Sequence, residues 1–357
     1  SVRELRSIGI QPDAIVCRSE HPVDEDIKSK IAVHCDVPRP GVVGLPTVST
    51  VYEVPLLLEE EGLGGLMIEA LGLRKSPADL YPWRKMVVRM QNPRDVLSIA
   101  VVGKYVDLPD SYLSVREALN HAGLFYDCNI DVKWVQAENI EENGADTYLG
   151  NSQGIVVPGG FGSRGVQGMI DTVKYARENE IPYLGLCLGM QVMVIEAART
   201  LAGLGDANST EFDAQTPDSV IDLMPDQRDV TEMGGTMRLG IYPCAVTSNS
   251  WASRAYNSEM VYERHRHRYE VNNAYRERLG SVGIFPTGLS PDGRLVEIME
   301  HKDQPFMVGV QFHPEFRSRP DRPHPLFREF IGVASGTLRE GGQHAFSIES
   351  AGQSSPN

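Results

Sequence analysis

Cysteine is sparse and unpaired in this chain. The five thiols, Cys17, Cys35, Cys128, Cys187 and Cys244, are odd in number, and no two form a C-x-x-C pair. That pattern argues against a disulfide framework and a structural zinc site. Free thiols fit a reducing compartment, so a cytoplasmic location is expected. Long apolar runs are missing too. None approaches the roughly 18–20 residues of a membrane helix, and no signal peptide is visible, so no membrane partner is expected. Positive charge is in deficit: 34 Lys and Arg face 48 Asp and Glu, a formal net charge of −14. A phosphate backbone favours a basic face, so nucleic acid is not expected as a partner. There is no initiator methionine. The chain opens at Ser1 inside a helical pattern of Val2, Leu5 and Ile8, as expected of a piece of a longer protein.

What is present is a folded composition, 41% hydrophobic and 23% charged, in 357 residues. That length suits two domains. Residues 1–73 read as a strand at Ala14–Cys17, a helix at Asp24–His34 and a second strand at Gly41–Leu45. Two short helices follow over Val51–Leu73, broken at Gly62–Gly65. Such a fragment of an α/β layer is expected to have too few strands for a sheet of its own. Residues 74–96, with Pro77, Pro82 and Pro93, read as a helix-containing linker.

From Leu97 the pattern becomes that of a doubly wound, mostly parallel α/β sheet with helices on both faces. Its apolar strands are Leu97–Val102, Asp131–Val135, Gly154–Val157 and Tyr183–Leu186. Helices are expected near Tyr112–Ala122, Val166–Asn179 and Leu188–Ala202. Residues 232–300 read as an antiparallel excursion, Phe306–Phe312 as a returning core strand, and Pro325–Ala334 as a closing helix. The tail, 337–357, is rich in Gly, Ser and Gln and is expected to be disordered.

Three segments carry chemistry. In Gly185-Leu186-Cys187-Leu188-Gly189-Met190-Gln191, the small-x-nucleophile-x-small pattern between strand and helix permits a tight turn. It puts the Cys187 thiol at a helix N-terminus, where the dipole favours thiolate. In Gln311-Phe312-His313-Pro314-Glu315, His313 stands at the carboxyl end of a core strand, the edge where such sheets place ligands. It is the expected base, with Glu315 holding its tautomer. His265 and His267 are rival bases, but their arginine-rich segment should depress the imidazoles and weaken them. Pro158-Gly159-Gly160-Phe161-Gly162 lacks the Gly-Lys-Ser/Thr ending of a P-loop. The backbone N–H groups of Gly160 and Leu188 are instead expected to face an oxyanion.

Together, G-L-C-L-G-M-Q, P-G-G-F-G and H-P-E, in that order, resemble the class I (triad) glutamine amidotransferases. Within that class Gly159–Gly165, Asn208–Phe212, Gly234–Gly240, Glu263–Asn272 and the opening Ser1–Arg18 resemble the CTP synthase family. The resemblance covers roughly residues 1–336. It implies a domain at 97–336 that releases ammonia from glutamine through Cys187, His313 and Glu315, without a cofactor. It also makes residues 1–73 the end of an ATP-dependent synthetase domain that aminates UTP to CTP. The family's P-loop and metal-binding carboxylates lie outside this sequence, so ATP and Mg2+ belong to the full-length enzyme and no metal ligand is expected here.

By the same resemblance Gly160, Leu188, Gly189, Met190, Gln191, Glu211 and Arg268 bind glutamine. Lys30 belongs to the UTP/CTP site, and Pro46, Thr47 and Val48 lie beside the ATP base. GTP activates the family, and Phe161 and Arg164 are candidates to meet it. The family assembles as a homotetramer. Two other readings stay open at this point. One is a stand-alone amidotransferase or one serving GMP synthesis, which would not need Ser1–Leu73; the other is a non-catalytic regulatory or filament module, which would lack a triad member.

Overall fold

The computed structural model describes residues 1–76, 79–92, 95–108, 110–223 and 237–336. The tail expected to be disordered (337–357) and the Gly234-Gly235-Thr236 part of a family segment lie outside the described residues. The chain divides into two compact units, Ser1–Pro93 and Arg94–Asn357.

In the first unit the order is α1 (Val2–Ser7), β1 (Ile15–Ser19), α2 (Glu25–Cys35), β2 (Val42–Pro46), α3 (Val54–Glu60), α4 (Leu63–Ala70) and α5 (Tyr81–Gln91). The Asp24 carboxylate starts α2 by accepting the Ile27 N–H at 3.0 Å. Gly62, at φ 81°, separates α3 from α4. Contrary to the expectation from sequence, β1 and β2 do form a sheet of their own, parallel, from Ile15 opposite Val42 to Ser19 opposite Pro46. A parallel pair needs a crossover, and α2 supplies it. Lys28 of α2 lies buried over Gly44 and reaches Glu61 at 2.7 Å. Lys30, two positions on, is exposed. Pro46, Thr47 and Val48 sit at the carboxyl end of β2, where the Thr47 N–H donates to Ser19 O at 2.8 Å.

The second unit is built on a nine-stranded sheet. Its elements begin β3 (Asp95–Gly103), α6 (Leu113–Phe125), β4 (Cys128–Gln136), α7 (Ala137–Asn143), α8 (Ala145–Leu149), β5 (Gly154–Val157), α9 (Val166–Glu178), β6 (Tyr183–Leu186) and α10 (Leu188–Thr200). They continue β7 (Asn208–Ser209), β8 (Ser219–Leu223), β9 (Arg238–Val246), α11 (Trp251–Tyr256), β10 (Met260–His267) and β11 (Tyr269–Val271). The last are α12 (Arg276–Ser281), β12 (Ile284–Leu289), β13 (Val296–His301), β14 (Met307–Val310) and α13 (Pro325–Ala334). The strand order is β10-β9-β12-β13-β14-β6-β5-β3-β4. Strands β14, β6, β5, β3 and β4 are parallel. Most of the antiparallel excursion stays in this sheet: β13, β12, β9 and β10 extend it from β14, while β11 pairs with β8 in a smaller sheet.

Period-2 alternation along β3 builds the two cores. Ala100 and Val102 join residues of α7, α9 and α10 on one face. Leu97, Ile99 and Val101 join residues of α6 and α13 on the other. The short helices α7 and α8 were not anticipated. They carry the chain from β4 back across β3 to β5, both parallel to β3, a move that requires a crossover. Because the winding reverses there, the carboxyl ends of β3 and β5 open a crevice, and β6 ends beside it.

Candidate active site

Cys187 occupies the turn between β6 and α10 with φ 53° and ψ −99°, a strained backbone for a residue with a Cβ. Its N–H donates to Val310 O at 2.7 Å, which fastens the turn to β14. The flanking glycines are demanded by close approach rather than by φ. A Cβ on Gly185 would lie 2.6 Å from the Gly189 carbonyl carbon, and one on Gly189 would lie 2.1 Å from Val157 O.

His313 follows β14, the parallel neighbour of β6, and thus emerges beside Cys187. Its Nδ1 is 2.8 Å from Glu315 Oε1, and it lines the same cavity as Cys187. Burial alone would depress this imidazole. Cys187 and Glu315 outweigh it and push the pKa up to about 11. The shift favours the imidazolium form of His313. The three residues line one cavity of about 190 Å³ with Gly159, Gly160 and Phe161. A larger cleft of about 450 Å³, lined by Trp251, Arg254, Phe285 and Lys302, shares no residue with it.

Leu188 is the first residue of α10, so its N–H has no carbonyl partner within the helix. A Cβ on Gly160 would meet the Leu188 side chain, Cδ2, at 3.3 Å, so the two residues expected to supply the oxyanion donors are neighbours. The loop is pinned from below by Lys104, a residue that sequence reasoning missed. Lys104 is buried directly after β3 and donates to Phe161 O at 3.3 Å and to Gly162 O. Burial lowers its pKa to about 8, opposed by nearby Glu211. Its position just past the first core strand, at the ligand-bearing edge, was the available signal. Lys104→Met removes the pin, and the expected result is a fall in glutaminase kcat of about 10- to 100-fold with KM little changed, by steady-state ammonia release.

The small sheet β11-β8-β7 explains how two distant residues converge. Since β8 runs parallel to β7 and antiparallel to β11, the end of β7 and the start of β11 share one edge. Glu211 follows β7 and Arg268 precedes β11, and both act electrostatically on Tyr269. Glu211 Oε1 also accepts the Gly162 N–H at 2.8 Å, which joins this edge to the glycine loop. Gly189 and Met190 lie behind the nucleophile, packed on Val157 and Gly309. The buried Gln191 side chain turns inward, donating to Tyr269 O at 3.2 Å and Gln311 Oε1 at 3.3 Å. Phe161 is exposed at the cavity, with Arg266 6.0 Å above its ring. Arg164 is tied to Glu138 and to Lys104 O.

His265 and His267 point to the buried side of β10, whose residues alternate exposed and buried, and they bond each other at 2.9 Å. Their pKa values fall to about 2 and about 3, as expected in direction but not in cause. Burial dominates, followed by His267 and then Arg238 at His265 and by Arg238 at His267. The neighbouring Arg264 and Arg266 project to the opposite, exposed face.

This fold, with a cysteine at the strand-to-helix turn, is that of the class I glutamine amidotransferases. Residues 107–333 match the family model "Glutamine amidotransferase class-I", and residues 1–73 match "CTP synthase N-terminus". CTP synthases of Dehalococcoides mccartyi and Carboxydothermus hydrogenoformans are 57% and 56% identical over 96% and 94% of this chain. The chain spans 63% of the length of each. A solved glutaminase domain of a Trypanosoma brucei CTPS, with bound acivicin, is 39% identical. It superposes with a TM-score of 0.64 over 67% of this chain and 94% of that one. The chain belongs to the class I glutamine amidotransferases and, within them, to the CTP synthase family.

Proposed function

We propose that the second unit hydrolyses glutamine to glutamate and ammonia, and that the longer protein uses this ammonia for ATP-dependent amination of UTP to CTP. The observation that carries the reading is the Cys187-His313-Glu315 grouping in one cavity beside the glycine loop. The match of residues 1–73 favours it over a stand-alone amidotransferase. Among the described residues no group of three or more His, Cys, Asp or Glu side chains is placed to hold a metal ion.

The Cys187 thiolate attacks the side-chain amide carbon, and the new oxyanion faces the N–H groups of Gly160 and Leu188. The His313 imidazolium gives its proton to the departing ammonia, leaving a glutamyl thioester. Neutral His313 then takes a proton from water as it attacks the thioester, and glutamate leaves with regeneration of thiolate and imidazolium. Glu315 keeps Nδ1 protonated throughout. Glu211 and Arg268 offer opposite charges for the α-ammonium and α-carboxylate of glutamine. Gly189, Met190 and Gln191 contribute by shaping the turn behind the sulfur.

The finer assignments follow from the family. Lys30 is proposed at the UTP/CTP site, Pro46, Thr47 and Val48 beside the ATP base, and Phe161 and Arg164 near an activating GTP. ATP with Mg2+ serves the full-length enzyme, a cytoplasmic homotetramer. The position of Thr47 past the carboxyl ends of two parallel strands suits a nucleotide edge.

The direct test is chemical. Incubation with a thiol-reactive glutamine analogue, beginning with the acivicin bound by the trypanosomal domain, should yield one adduct per chain, mapped to the Cys187 peptide. Excess glutamine should protect against it. Labelling of Cys17 or Cys35 instead, without such protection, would refute the assignment.

A further inference from the structure

The Cys187 sulfur has a polar neighbour other than His313. Gln311, completely buried just past β14, donates its Nε2–H to Sγ at 3.6 Å. Its Oε1 accepts from Gln191 Nε2 at 3.3 Å. The Gln191 amide in turn donates to Tyr269 O at 3.2 Å, and that carbonyl is 3.3 Å from His267 Nδ1. The chain of contacts fixes which way the Gln311 amide points. Turned over, it would set its Nε2 against the Gln191 donor and its oxygen against the sulfur. The backbone is held as well, since the Gln311 N–H donates to Glu297 O at 2.9 Å.

A fully buried amide is costly unless bonded, and methionine or leucine would suit this apolar strand end better. Its donor is aimed at an atom that accepts weakly as a thiol and strongly as a thiolate. We infer that Gln311 is a further catalytic residue, a second hydrogen-bond donor that stabilises the Cys187 thiolate alongside His313. The inference rests on Cys187 being the nucleophile of the proposed glutaminase. Sequence alternation hinted at it, because Gln311 and His313 lie two apart and Phe312 between them enters the opposite core.

The test follows the sulfur rather than turnover. The rate of Cys187 alkylation by iodoacetamide, resolved by peptide mapping, is measured against pH in wild-type protein and in Gln311→Met, which keeps length and removes the donor. The midpoint is expected to rise by about one pH unit, the size of a lost hydrogen bond to a charged group. The kcat/KM for glutamine should fall about tenfold, mostly in kcat. Gln311→Glu, which puts a carboxylate beside the sulfur, should raise the midpoint further and carries the test if the Met variant does not fold. An unchanged midpoint in folded variants of an active protein overturns this inference alone. A wild-type protein that alkylates normally but releases no ammonia overturns the glutaminase reading instead.

Discussion

Cys187→Ala is expected to cut ammonia release from glutamine by about 10⁴-fold or more while the protein stays folded. No other group in the cavity supplies a comparable nucleophile, and loss of the attacking atom of a covalent mechanism is not made good by its partners. Stability should behave in the opposite sense. The residue sits at φ 53° and ψ −99°, where a Cβ costs roughly 1–3 kcal/mol. Cys187→Gly should therefore melt above Cys187→Ala, with both inactive, because glycine relieves the strain that alanine keeps. Removing the sulfur also removes one of the two partners that raise His313, so the imidazole should titrate below about 11 in either variant, followed by histidine NMR. Undiminished glutaminase activity in Cys187→Ala would sink the whole reading. A Cys187→Gly protein less stable than Cys187→Ala would show that the turn is not strained.

Much of this site was legible because its parts are punctuated by glycine and end on apolar strands. Gly185-Leu186-Cys187-Leu188-Gly189 declares a strand-to-helix turn, and the structure shows the contacts that forbid a Cβ at either glycine. Phe306–Phe312 was recognisable as a core strand, so the side of the sheet that carries His313 followed from topology. What stayed hidden depends on contacts between distant segments. The small sheet that brings Glu211 to Arg268 has a two-residue strand with no pattern to read. On α2, Lys28 and Lys30 look alike in sequence, and a turn of about 200° separates a buried ion pair from a solvated lysine. Helices α7 and α8 fill a seventeen-residue connection whose fully buried apolar residues, Ala137, Ile140 and Leu149, are too few for a periodic signal. The arginines around His265 and His267 suggested the right direction of shift for the wrong reason. Alternation along β10 places arginines and histidines on opposite faces, so local charge in sequence is not local charge in space.

The second large effect should come from a residue with no side chain. In Gly189→Ala the new methyl would stand 2.1 Å from Val157 O and 3.3 Å from Val157 Cβ. Backbone on both sides leaves no flexible group to yield, so α10 must move away from β5 or the turn must open. Overpacking of this kind costs about 1–3 kcal/mol. Catalysis should suffer more, because the Leu188 N–H and the Cys187 sulfur both ride on the first turn of α10. A displacement of about 1 Å at reacting atoms costs about 10²-fold, and here the nucleophile and an oxyanion donor shift together. The expected outcome is a folded protein with a lowered melting temperature and glutaminase kcat down by about 10²-fold or more. Gly205→Ala is the control: a Cβ there meets nothing within 4 Å, and it should change neither quantity measurably. Wild-type activity in Gly189→Ala would mean that α10 packs on β5 less closely than described, and that the position of the sulfur does not depend on that contact.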